Sequence, residues 1–312
     1  MNKVIVSGAN GFIGKALIKK LLEQNINVFA IVRDKVKLTE FKNYKNLNII
    51  ECELNSYSEL INLISKDNYD VFYHLAWDGV FGEKFRNYEL QLDNVKYACN
   101  ALEAAQKIGC KKFLLVGTMN ELEVRALMNN DTYKPKITCI YGTAKLASEM
   151  ICRTLACNEG IEFNSVLLAM VYGEGDKSEM LPKIIIRNMI KNNRPKLVSG
   201  NYLYDWIYIN DVVDGIIAVA NKGINLKTYY LGHRKLKTFR KIVEEVRDIL
   251  SPDMKLVFGE YKDSSMIDYS LIDLEAAYKD IGFECEVDFE ESILKTAEWI
   301  KKELDIKQEE QL

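Results

Sequence analysis

The chain is predicted to be an α/β protein: a doubly wound parallel sheet of the Rossmann kind, with a smaller mixed α/β lobe toward its C-terminal end. Three observations predict this. Short β-rich runs alternate with longer helical patterns through the first two-thirds of the 312 residues. Several of those runs are apolar throughout, as strands covered on both faces must be. The first of them leads through closely spaced glycines straight into a helix, the kind of junction at which such sheets bind ligands.

Taken in order, KVIVSG, NVFAIV, NIIEC, DVFYHLA, KKFLLVGT and NSVLLAMV are the expected strands. Between them GKALIKKLLEQ, SELINLISK, NVKYACNALEAAQKIG and YGTAKLASEMICRTLACN repeat apolar residues at helical spacing. After Tyr172 the rhythm loosens. GEGDKSE is a loop, MLPKIIIRNMIKNN a helix, and DWIYINDVVDGIIAVAN is expected to return to the main sheet. The resulting division is a cofactor-binding unit over 1–167 with 205–232, and a substrate lobe over 168–204 with 233–312. The tail KKELDIKQEEQL is expected to fray.

Composition narrows the function classes. At 48% hydrophobic the chain can bury a large core, and a net charge of −3 offers nothing to a nucleic acid or another polyanion. No apolar run approaches the roughly 20 residues of a membrane span, and MNKVIVSG enters the first strand without a signal peptide. The seven cysteines are scattered, odd in number and form no CxxC pair, which fits a reducing compartment. A soluble cytoplasmic protein is expected. With two histidines, His74 and His233, no histidine-based metal site is expected, and His74 on an apolar strand is read as a packed core imidazole.

VIVSGANGFIGKAL places Gly8, Gly11 and Gly14 after a strand and at the opening of a helix. Glycines there permit a tight turn and close backbone approach, and the helix's unpaired N–H groups face a pyrophosphate. The turn Gly8, Asn10, Gly11, Phe12, Ile13 and Gly14 is therefore the expected dinucleotide cradle, with the spacing GxxGxxG rather than GxGxxG. The second strand ends AIVRD. Arg33 would accommodate the 2′-phosphate of NADP; the alternative is NAD, with Asp34 holding the ribose.

Tyr141 and Lys145 of YGTAK stand one turn apart at the start of a helical pattern, so they share a face. A free phenol has a pKa near ~10, too high for a proton donor and acceptor near neutrality. Lowering it by about three units takes roughly 4 kcal/mol of preferential phenolate stabilisation. An ammonium one turn away, beside an oxidised nicotinamide, has the right sign to supply it.

SGANGFIG, HLAW, NVKYACNALEAA, LLVGT, YGTAK and VYGEGD together resemble the extended short-chain dehydrogenase/reductases, the nucleotide-sugar epimerase/dehydratase group. The resemblance runs from residue 3 to about residue 300. It implies that Thr118 hydrogen-bonds the substrate oxygen beside Tyr141, and that Lys145 also holds the nicotinamide ribose. It implies further that Glu53 and Leu54 flank the adenine, Leu75 and Ala76 line the cofactor groove, and Asn94 braces the site. Thr118 as a backbone cap and Glu53 as a solvated charge are the plain alternatives. Trp77 and Asp78, in the loop after the fourth strand, fall where substrate contacts are expected; a loop aromatic closing the core edge is the alternative. The helices beginning at Asn94 and Tyr141 would pair across a two-fold axis, making a homodimer.

Three departures from the family pattern bear on the reaction. The acid pair that follows the catalytic threonine in 4,6-dehydratases is Met119 and Asn120 here, and Glu121 stands one place late. Tyr204 occupies the place of an arginine that clamps substrate pyrophosphate, and Leu167 that of another arginine. Lys183, Arg187 and Arg194 either compensate or form a solvated helix face. The expected activity is NADP-dependent reduction of a nucleotide-linked 4-keto-6-deoxy sugar, with similarity to CDP-abequose synthase-like reductases. The alternatives are a 4-epimerase with retained NAD, and a non-catalytic cofactor-sensing protein.

Overall fold

The computed structural model describes residues 1–130, 134–262 and 267–309, with side chains through residue 305. The chain begins β1 (Lys3–Ser7), α1 (Phe12–Glu23), β2 (Asn27–Val32) and β3 (Leu47–Glu51). A single-turn α2 (Leu60–Leu63) leads to β4 (Tyr69–His74), and the long α3 (Tyr88–Ile108) to β5 (Cys110–Thr118). Next come α4 (Asn120–Asn129), α5 (Cys139–Glu159), β6 (Glu162–Leu168) and β7 (Met170–Tyr172). Then follow α6 (Leu181–Ile190), β8 (Leu203–Tyr204), β9 (Trp206–Tyr208), α7 (Ile209–Lys222) and β10 (Thr228–Leu231). The chain finishes with β11 (Lys237–Thr238), α8 (Phe239–Leu250), α9 (Ala276–Ile281) and α10 (Phe289–Glu309).

Seven strands pair in parallel in the order β10-β6-β5-β4-β1-β2-β3. Successive residues of a strand point to opposite faces, so Val4 and Val6 join one apolar cluster with Leu17 and Val212, while Ile5 joins another with Ala101 and Phe113. That is why these runs are apolar without alternation. His74 lies in the second layer against Phe72 and Phe113, its Nδ1 3.0 Å from Ser7 Oγ. Burial pulls its pKa down to about 3, so it is a neutral core imidazole.

Strand order reverses between β1 and β4, whose neighbours lie on opposite sides, and the crevice beyond their C-terminal ends is where such sheets bind ligands. Gly8 makes that crevice possible. It has φ +68°, and a β-carbon there would lie 2.8 Å from Ala76 N; one on Gly14 would lie 2.2 Å from Gly8 O. The turn thus packs against both the end of β4 and its own helix.

Several expectations are corrected. NSVLLAMV is not one strand: the chain leaves the sheet at Ala169, and β7 pairs in parallel with β9 instead. Consequently the strand of DWIYIND lies outside the main sheet; α7 packs on α1, and β10 adds to the edge beside β6. SELINLISK yields only the short α2, preceded by 3-10 turns over 54–59. α3 starts six residues before Asn94 because the Asn87 side chain accepts from Leu90 N–H and caps it. Up to Glu309 the tail is helical, and the last three residues of the stretch expected to fray lie outside the described residues. Among the described residues no helix is long and apolar enough to cross a membrane.

Candidate active site

A cavity of about 1390 Å³ runs from the glycine turn, past the C-terminal ends of the strands, to α6 and the segment 194–204. Of the residues singled out from the sequence for cofactor, substrate or proton transfer, Asn94, Lys183, Arg187 and the alternative ribose partner Asp34 do not line it, and the others do.

At one end the turn closes with Gly11 N–H donating to Gly8 O at 3.0 Å. α1 then starts with Gly11 as a cap that offers no side-chain acceptor, and with no acidic residue in its first turn. Its leading N–H groups are left for an anion. Arg33 is exposed and faces the cavity, as do Glu53 and Leu54 across from it. The Asp34 carboxylate is occupied locally, accepting from Val36 N–H at 3.0 Å.

In the middle stand Thr118, at the end of β5, and Tyr141 and Lys145, one turn apart near the start of α5. The Thr118 hydroxyl hydrogen-bonds the Tyr141 phenol and lies 3.2 Å from Asn120 Oδ1. Lys145 is buried; its ammonium donates to Val116 O at 2.9 Å and sits 4.0 Å from the centre of the Trp77 ring. The phenol is not acidified by Lys145 here. Burial pushes its pKa well above the ordinary value, the Glu121 carboxylate adds to this, and only the Thr118 hydrogen bond opposes it. Burial likewise pulls Lys145 down to about 8, against the pull of Glu121. The ammonium is directed to a carbonyl and an indole face, which explains the difference from expectation.

The loop after β4 forms the aromatic wall. Trp77 meets Tyr141 edge-on at 6.2 Å and 90°, and Phe85 packs across the same ring at 4.6 Å and 31°. Two buried amides on α3 hold the loop in place. Gln91 Oε1 accepts from the Trp77 indole N–H at 2.8 Å, and its Nε2 donates to Gly79 O at 2.9 Å. Asn94 Oδ1 accepts from Asp78 N–H at 3.0 Å and its Nδ2 donates to Asp78 O at 2.8 Å. Asn94 is therefore a brace behind the wall rather than a cavity contact. The Asp78 carboxylate pairs with Lys84 at 3.0 Å.

At the far end Tyr204 is buried beside the cavity, edge-on to Phe239 at 5.8 Å. Of the three cations considered as compensation, Lys183 is turned away to Asp176 O and Glu303, and Arg187 to Glu179. Only Arg194 of the three reaches the cavity, and it holds Glu260 through two bonds at 2.7 and 3.0 Å. Leu167 is buried in the sheet.

Sequence reasoning missed Phe85, Gln91 and Lys196, all of which lie at or behind this cavity, and set Glu121 aside. For Gln91 a signal existed, a polar residue on the apolar stripe of α3; for Phe85 and Lys196, in loops, there was none. An anion cradle, an aromatic wall and a hydroxyl–phenol–ammonium cluster opening on one cavity suit proton transfer beside a bound dinucleotide.

The family model described as the NAD dependent epimerase/dehydratase family matches residues 4–232. The chain is 25% identical over 317 residues to an Escherichia coli dTDP-4-dehydro-6-deoxyglucose reductase, covering 96% of this chain and 98% of that one. It is 28% identical over 235 residues to the CDP-abequose synthase of Salmonella typhimurium, covering 72% of each. Among solved structures, a Thermotoga maritima UDP-glucose 4-epimerase crystallised with UDP-glucose superposes with a TM-score of 0.76 at 22% identity, covering 97% of this chain and 99% of that one. With the glycine cradle, the reversed strand order and a matched segment that takes in every strand of the main sheet, the chain belongs to the NAD-dependent epimerase/dehydratase family.

Proposed function

We propose that the protein is an NADP-dependent oxidoreductase that reduces the 4-keto group of a nucleotide-linked 6-deoxy sugar. The observation that carries this reading is the contact between the Thr118 hydroxyl and the Tyr141 phenol on the same cavity as the glycine cradle. The cofactor, when bound, supplies the hydride. Tyr141 gives its proton to the carbonyl oxygen and Thr118 holds that oxygen, while Lys145, turned to Val116 O and the Trp77 ring, holds the nicotinamide ribose. The cofactor is held by 1–167 with 205–232 and the sugar nucleotide by 168–204 with 233–312.

Three features support the finer choices. Arg33 faces the cavity while Asp34 is spent on a backbone N–H, which favours the 2′-phosphate of NADP over a bare ribose. Met119 and Asn120 line the cavity where a dehydratase needs two acids. The Trp77–Phe85 wall beside Tyr141 suits an apolar C6 methyl and leaves a C6 carboxylate unpaired. A second reading is a 4-epimerase that retains NAD, because the same three residues serve it, and a UDP-glucose 4-epimerase shares the fold over nearly the whole chain. A panel of nucleotide sugars with NADH and NADPH, followed by absorbance and product NMR, separates the two. Steady consumption of NADPH with a 4-keto-6-deoxy sugar nucleotide is expected. Tightly bound NAD and interconversion of sugars without net redox would instead establish the epimerase. The protein is also proposed to act as a homodimer through α3 and α5.

A further inference from the structure

Directly behind the site lies a carboxyl group that the reaction as described does not use. Glu121, in the first turn of α4, is fully buried and does not line the cavity. Its Oε1 accepts from Thr118 N–H at 3.0 Å. The backbone of Gly117 makes room for it, since a β-carbon there would lie 2.4 Å from that oxygen. Oε2 is sealed from solvent with no hydrogen-bond partner among the described residues.

The Thr118-x-x-Glu121 spacing is that of a capping box, and Asn120 N–H donating to Thr118 Oγ1 at 3.4 Å fits one. A cap accounts for Oε1 alone. Capping glutamates at a surface helix leave the second oxygen in water, whereas here it is enclosed. The charged groups facing it are Lys145, Tyr141 and Glu149 from α5 and Arg125 from its own helix. Glu149 is already held by Arg125, by Arg153 and by the Thr228 hydroxyl. Among the described residues Lys145 gives its hydrogen bond to a neutral carbonyl, and of the two cations facing Glu121 it acts on that carboxyl more than Arg125 does.

We propose that Glu121 is a positioning residue of this site: it fixes the Thr118 peptide, and with it the hydroxyl that meets Tyr141, and its charge balances Lys145 through the wall. This rests on Tyr141 being the proton donor. Burial pushes Glu121 up to about 8, so its charge changes within the working range of pH. When charged it opposes ionisation of the phenol and favours the ammonium of Lys145. Taking the charge away therefore lets both groups lose their protons at lower pH.

The test compares wild type with Glu121→Gln, which keeps an acceptor for Thr118 N–H, and Glu121→Met, which does not. In Glu121→Gln the alkaline limb of kcat/KM for ketone reduction is expected to move down by about one pH unit, the size of a neighbouring-charge effect. In Glu121→Met kcat is expected to fall about tenfold further, with the KM for cofactor unchanged, because the Thr118 peptide loses its partner. A second readout needs no sugar. With oxidised cofactor bound, the ultraviolet signal of phenolate, taken as the difference from the Tyr141→Phe counterpart, should begin at lower pH in Glu121→Gln. An unshifted limb, or an unshifted phenolate signal, overturns the proposal; Glu121→Gln alone decides if Glu121→Met does not fold. A shifted signal without turnover of any nucleotide sugar sinks the proposed substrate and leaves the role of Glu121 standing.

Discussion

Tyr141 sits in surroundings that on balance hold the proton on its phenol. One hydrogen bond reaches it from Thr118, two aromatic rings pack on it, and burial raises its pKa. Tyr141→Phe removes the hydroxyl and little else, because the ring contacts with Trp77 and Phe85 survive. We expect kcat to fall by about 10²- to 10⁴-fold, with cofactor affinity unchanged by fluorescence titration. An unchanged output would favour the cofactor-sensing alternative. His74 gives a prediction of the other kind, about stability alone. Its pKa is about 3 folded against an ordinary value of 6.5, so between those limits the unfolded chain binds the extra proton. The stability it supports is complete above pH 6.5 and is lost as pH falls toward 3, at up to about 1.4 kcal/mol per unit. Urea unfolding from pH 7 down to pH 4 should show that slope, and His74→Phe should flatten it.

The elements that could be read from the sequence were those whose residues answer to one rule at a time. β1, the glycine turn and α1 obey strand pattern, turn chemistry and helix pattern in succession, and they fold as expected. NSVLLAMV defeated that reasoning because it is equally apolar on both sides of Ala169, and the change of partner there is dictated by the Ala169 N–H bond to Leu231 O and the Met170 N–H bond to Asp205 O. The loop 77–85 was half legible. Trp77 and Asp78 could be placed by position, but the grip on them comes from Gln91 and Asn94, whose amides reach back from α3 over 12 to 16 residues. That grip is testable. Asn94→Ala leaves the Asp78 N–H and C=O unpaired in a half-buried place, a loss of about 1–3 kcal/mol. Thermal unfolding should show it, and because Trp77 follows the loop, KM for the sugar nucleotide should rise more than KM for the cofactor. Equal increases in both would mean that the loop does not border the sugar.

At the scale of the whole molecule, six of the main sheet's seven strands were legible, and β10 and the short strands outside the sheet were not, for one physical reason. Those six strands are five to nine residues long and, apart from the edge strand β3, mostly buried, so local pattern suffices. Outside the sheet the strands are two or three residues long and pair between distant segments, β8 with β11 and β7 with β9, and no local pattern encodes such pairs. Lys183 and Arg187 show the cost of this: the sequence left open whether they meet a diphosphate or form a solvated helix face, and tertiary contacts turned both to glutamates. The same scale carries the proposed dimer. α3 and α5 lie side by side, bury one face against the sheet, and leave Tyr88, Leu92, Met150 and Ile151 exposed on the outside. Four large apolar side chains on two adjacent helices are what a two-fold helix pairing would cover. Light scattering on a sizing column is expected to give twice the 35.9 kDa chain mass. Leu92→Glu combined with Met150→Glu should halve it while cofactor binding persists, since neither residue lines the cavity. A wild-type protein that elutes as a monomer at micromolar concentration would leave that face without a partner of its own kind, and the helix pairing would have to be abandoned.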